Sequence, residues 1–179
     1  MMTRIGTILV LAAAALAACA APVVDEDSPR ARLPVGSVVV LHQDLVVPDG
    51  HARVFLQGGA VVEKHRLKAY HPHCNFEQQA VSDGKAVIAA DRFTVSAVSV
   101  GEDYVVQRGG LIHAAQRMVT DDSHVGMVNR YVRHRLESAR QPQVLVLTCH
   151  GGFDFPGRAE LPSPADIRAV LGTLAAVES

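Results

Sequence analysis

Apolar and polar residues alternate over short stretches along most of this chain, and Gly, Pro and Asp separate one stretch from the next. Ser37 to Leu41 is a Val-rich run, and Val46-Val47-Pro48-Asp49-Gly50 breaks into a turn. From His51 to Gln57, Ala52, Val54 and Leu56 alternate with Arg53, Phe55 and Gln57. Gly58-Gly59 punctuates, and the extended pattern resumes over Ala60 to His65. Cys74 to Val81 leads through Ser82-Asp83-Gly84 into Lys85 to Ala90. The longest stretch, Phe93 to Val100, ends at Gly101-Glu102-Asp103, with Tyr104 to Gln107 beyond it. Gln143 to Thr148, centred on Val144-Leu145-Val146-Leu147, is the cleanest buried-strand signature. A two-residue period sends neighbouring side chains to opposite faces of a strand. Strands recurring every roughly 8–15 residues between turn signals predict a mostly β domain, a small sandwich or a barrel-like sheet.

Two segments depart from that pattern. Ser163-Pro164-Ala165-Asp166 combines an N-cap Ser, a Pro at the first helical position and an acid three residues after the cap. Ile167, Val170, Leu171 and Leu174 then fall on one helical stripe, which predicts a C-terminal α-helix packed on the β body. Asn129 to Arg140 fits either a helix or an edge strand.

The chain begins differently. Arg4 precedes an apolar run from Ile8 that ends in Leu16-Ala17-Ala18-Cys19. A basic start, a short apolar stretch and small residues at its end are the marks of an export signal. The run is about half of the roughly 20 residues that a membrane-spanning helix needs. The segment resembles a bacterial lipoprotein signal peptide, whose lipobox is an aliphatic residue, two small residues and a Cys. The resemblance implies cleavage of residues 1–18 and several acyl chains on Cys19, because one chain alone holds a protein at a membrane only marginally. Ala20 stands where an Asp retains Gram-negative lipoproteins in the inner membrane, which implies the outer membrane, with the protein facing the periplasm. An ordinary signal peptide cut after Ala18 or Ala20 is the alternative. Ala20 to Pro34 holds three prolines and mixed charges without periodicity, so residues 19–34 read as a lipidated Cys with a flexible tether, and 35–179 as one domain.

Removal of Arg4 with the signal moves the net charge from −1 to −2, which gives no footing for a nucleic-acid partner. The chain has no Trp and is 4% aromatic, so platforms for stacking bases or sugars are scarce. Cys74 and Cys149 remain after lipidation, and outside the cytoplasm such a pair predicts a disulfide. Nine His are many for this length. His71, His73 and His150 flank the two cysteines, so extended backbone would turn the cysteines to the core and these imidazoles outward. There they could form a three-His site for Zn or Cu. A thiolate site on Cys74 and Cys149 would compete with the disulfide. Arg130, Arg133 and Arg135 form a basic run able to meet anionic envelope material. Asp121 to His124 reads as a polar turn, and Gly151 to Gly157 as the turn leaving the Val144–Leu147 strand, with Phe153 or Phe155 tucked onto the core. The chain lacks the G-x-S-x-G elbow of a hydrolase. The expected function is that of a non-catalytic envelope component, touching a partner through edge strands or the 130–135 run. A metal binder is the alternative.

Overall fold

The computed structural model describes residues 26–84, 86–104 and 126–178. It is a mostly β domain, in which an eight-stranded sheet curls into a half-barrel. The strands in chain order are β1 (Val38–Leu41), β2 (Leu45–Val47), β3 (Arg53–Gln57), β4 (Ala60–Val62), β5 (His73–Gln78) and β6 (Ala86–Ile88). They continue with β7 (Asp91–Tyr104), β8 (Val128–Glu137) and β9 (Val144–Asp154); helix α1 (Pro164–Leu171) and β10 (Ala175–Glu178) follow. The large sheet runs β10-β1-β7-β8-β9-β5-β3-β4 with every pair antiparallel, and β2 and β6 form a separate ribbon.

Alternation fills the concave side. Val39 and Leu41, Val54 and Leu56, and Phe76 and Leu147 all point inward and are buried. The ribbon contributes Leu45, Val47 and Ile88, and α1 contributes Ile167, Val170 and Leu171 to the same core. The helix starts as its sequence predicts. Ser163 accepts from the Asp166 N–H, and the Asp166 carboxylate accepts from the Ser163 N–H, a reciprocal cap contributing about 1 kcal/mol. Cys74 and Cys149 face each other in register across β5 and β9 and form a disulfide in the core.

Four expectations are corrected. Asn129 to Arg140 is neither helix nor edge, since β8 lies inside the sheet between β7 and β9. Gly101-Glu102-Asp103 does not end a strand, because β8 pairs with β7 out to Tyr104. Gly151 and Gly152 continue β9 rather than leaving it. The packed body also begins before Val35. Leu33 sits in the core, the Ala165 N–H donates to the Glu26 carbonyl, and Arg168 pairs with Glu26. The sequence also gives no sign of β10, a short strand placed on the sheet edge by pairing with β1. Residues 1–25, including Cys19, and Asp121 to His124 lie outside the described residues.

Candidate functional site

The convex side of the sheet carries the polar chemistry. His73 and Asn75 on β5 face His150 and Thr148 on β9, residue for residue, on the side opposite the disulfide. The outward turn of His73 and His150, expected from the cysteine positions, is therefore present. Their rings stack with centroids 4.6 Å apart and planes 7° from parallel, and Tyr131 of β8 leans on His150 at 5.3 Å. Outward-facing residues of a half-barrel are ordinarily wet, yet His73, Asn75 and Thr148 are buried.

The cover is the segment from Glu63 to Pro72, folded back over the sheet. Gln57, at the end of β3, holds it: its Nε2 donates to the Lys68 carbonyl at 2.9 Å, and its Oε1 accepts from the Lys68 N–H at 3.0 Å. Two consecutive glycines of β9 let backbone approach the sheet from both sides. A Cβ on Gly152, whose φ is +99°, would meet the Tyr70 carbonyl at 2.8 Å on the convex side. One on Gly151 would collide with the Glu160 carbonyl on the concave side. Any side chain at Gly152 would also be strained in this left-handed conformation.

Between this cover and the sheet opens a cleft of about 420 Å³, within the usual range for small-ligand sites. His73, Asn75, Asn129 and His150 line it, with Phe55 and Phe153 as apolar walls. Phe153 thus turns to the cleft rather than to the core, and Phe155 is exposed. Asn75 Oδ1, His150 Nδ1 and the neighbouring Thr148 Oγ1 are buried without a hydrogen-bond partner. Buried polar atoms are almost always paired, so three orphans in one patch are unusual. A second groove, about 840 Å³, runs between β2 and the β4 edge along Val46, Pro48, Val61 and Val62. None of the buried unpartnered atoms among the described residues lies on it.

Burial favours the neutral form of both stacked imidazoles. Burial pushes the His150 pKa down to about 3, helped by His73, Arg53 and Arg133. Burial also lowers the His73 pKa, against the hydrogen bond to the His71 carbonyl. A carbonyl only accepts, so His73 Nδ1, 3.0 Å from it, carries the proton and Nε2 is left as an acceptor. The three-His metal site is not assembled. Imidazole binds a metal in its ring plane, about 2 Å from nitrogen, and two stacked, near-parallel planes share no such point. His71 is exposed and contributes its carbonyl, while the cysteines are tied in the disulfide. Among the described residues, no group of three or more His, Cys, Asp or Glu is placed to hold a metal ion.

The residues of the basic run have different surroundings. Arg130 pairs with Glu102 at 3.6 Å, Arg133 lies over the Tyr131 ring at 5.5 Å, and Arg135 stands exposed on the same face as Arg133. His134, between them, points inward and is fully buried.

No family model, curated protein or solved structure matches this chain. The case for a site therefore rests on its geometry. Asn75, Thr148 and Gln57 escaped the sequence reading. One signal was available for the first two: each is two residues from an outward His on its strand, so each had to share that His's face.

Proposed function

We propose that this chain is a lipid-anchored protein of the cell envelope, held at the outer membrane and facing the periplasm, that works by binding a ligand in the convex-face cleft. The lipobox Leu16-Ala17-Ala18-Cys19 supports the anchor. The observation carrying the binding role is the cleft floored by His73, Asn75 and His150, with unpartnered polar atoms of Asn75, His150 and the neighbouring Thr148 buried at that floor. An unsatisfied buried acceptor costs roughly 1–3 kcal/mol. Folds tolerate such a cost at functional sites, where stability is traded for function.

Each half of the proposal has its own test. In a Gram-negative host, the full chain takes up radiolabelled palmitate and partitions with membranes, and Cys19→Ala abolishes both. A wild-type chain exported without label would overturn the anchor. For the binding role, Asn75→Leu raises the melting temperature of the ligand-free protein, by the equivalent of about 1 kcal/mol. A lower melting temperature would mean that Asn75 is there for the fold, and the binding role would fall.

A further inference from the structure

The chemistry of the cleft wall narrows what can fill it. Of its charged side chains, Arg53 and Lys64 are basic while Glu77 and Asp103 are acidic, so the lining has no excess of either sign. Arg53 and Glu77 are moreover joined, 3.1 Å apart. An anion placed in the cleft would meet the Glu77 and Asp103 carboxylates at the wall and His73 Nε2, an acceptor, on the floor, which offset Arg53 and Lys64. A cation would find those acceptors but also lie near Arg53 and Arg133, which already press on His150. Neither charge is favoured.

A hydroxyl group is. It donates and accepts at once, so a ring of hydroxyls can donate to His73 while accepting from Arg53, Lys64 or the Asn75 amide nitrogen. The carboxylates of Glu77 and Asp103 add acceptors at the wall. The apolar walls complete the match. The chain has only five Phe and three Tyr, and four of those eight gather on this face. Phe55 and Phe153 line the cleft, Tyr70 packs edge-on against Phe153 at 6.5 Å, and Tyr131 abuts His150. Aromatic walls beside a polar floor suit a ring with C–H bonds on its faces and hydroxyls at its rim.

We propose that the convex-face cleft floored by His73, Asn75 and His150 binds a neutral, hydroxyl-rich ligand, a monosaccharide or a glycan unit. This rests on the binding role argued above and names its ligand class. Contacts are shared with solvent in so open a cleft, so a single sugar binds weakly, and a longer glycan gains by reaching the wall residues.

Saturation-transfer NMR on the full lipidated chain, in a detergent without a sugar headgroup, tests it. The probes are glucose, N-acetylglucosamine and their disaccharides, set against acetate, inorganic phosphate and choline. Saturable signals from at least one sugar are expected, with the charged probes silent. Asn75→Leu, and independently His150→Phe, which keeps an aromatic ring beside His73, should weaken the sugar by at least about ten-fold. Circular dichroism checks that each variant is folded. Sugar binding unchanged in both variants would overturn the location. Acetate or phosphate binding that Asn75→Leu removes, with sugars silent, would overturn the ligand class while leaving the cleft as a site. Silence from every probe would overturn the proposal, and the melting temperature of ligand-free Asn75→Leu then decides whether the binding role falls with it.

Discussion

Replacing Cys74 and Cys149 together by Ala lowers the unfolding free energy by about 4 kcal/mol. The cysteines are 75 residues apart in sequence, and cross-linking the unfolded chain over so long a loop removes much of its freedom. A small domain has only about 5–15 kcal/mol in hand, so the reduced or substituted protein loses a large share of its stability. The bridge joins β5 to β9, the two strands that carry the stacked imidazoles on their other face. Urea unfolding of the wild type with and without reductant, alongside the double Ala variant, measures the effect. A change below about 1 kcal/mol in both would mean that the fold restrains these strands without the bond.

Mild acid destabilises the protein through its buried histidines. His134 is fully buried, and burial pushes its pKa down to about 4, against the hydrogen bond to the Leu147 carbonyl and aided by Arg32. His150 is pushed to about 3 by burial and its cationic neighbours. Each is a base whose folded pKa lies below its unfolded value near 6.5, so below that pH the unfolded chain binds more protons. The neutral rings therefore give their full stability above about pH 6.5. That stability falls as the pH drops toward 4 for His134 and toward 3 for His150. For His134 alone the loss over this window is about 3 kcal/mol. Carboxylates enter mainly below about pH 4.5, so the slope between pH 6.5 and 4.5 belongs to histidine. Melting temperatures followed across that range should fall for the wild type and fall less steeply for His134→Leu. Parallel slopes would show that His134 is protonated in the fold at no cost.

The sequence made the β class, the capped helix and the disulfide legible because each depends on local spacing. Alternation in Arg53 to Gln57 places Val54 and Leu56 inside, and Ser163 with Asp166 writes the helix start in four residues. The pairing of Cys74 with Cys149 then fixes the faces of their neighbours, so the meeting of His73 with His150 could be anticipated. The role of β8 was hidden by its composition. In Val132-Arg133-His134-Arg135-Leu136 the inward set is Val132, His134 and Leu136, and a His at a core position looks like part of a charged surface. The cleft was hidden for a different reason. Asn75 and Thr148 occupy positions that alternation assigns to solvent, and the return of residues 63–72 across the sheet closes the cleft that Asn75 lines. That return is long-range. It depends on the Gln57 amide holding Lys68, and on two glycines of a distant strand that read locally as a turn. The same limit explains Leu33. A proline-rich, unpatterned segment gives no hint that one of its side chains reaches the core.

The contact between Glu26 and the first turn of α1 bears on which way the proposed protein would look. Only six residues lie between Cys19 and Glu26, and the seven steps from one to the other span no more than about 25 Å when fully extended. With acyl chains on Cys19, the leash is short and is fastened on the helix side of the half-barrel. The cleft opens on the other side of the sheet. A domain so moored would turn its back to the bilayer and offer its pocket to whatever diffuses, or is strung, through the space beyond.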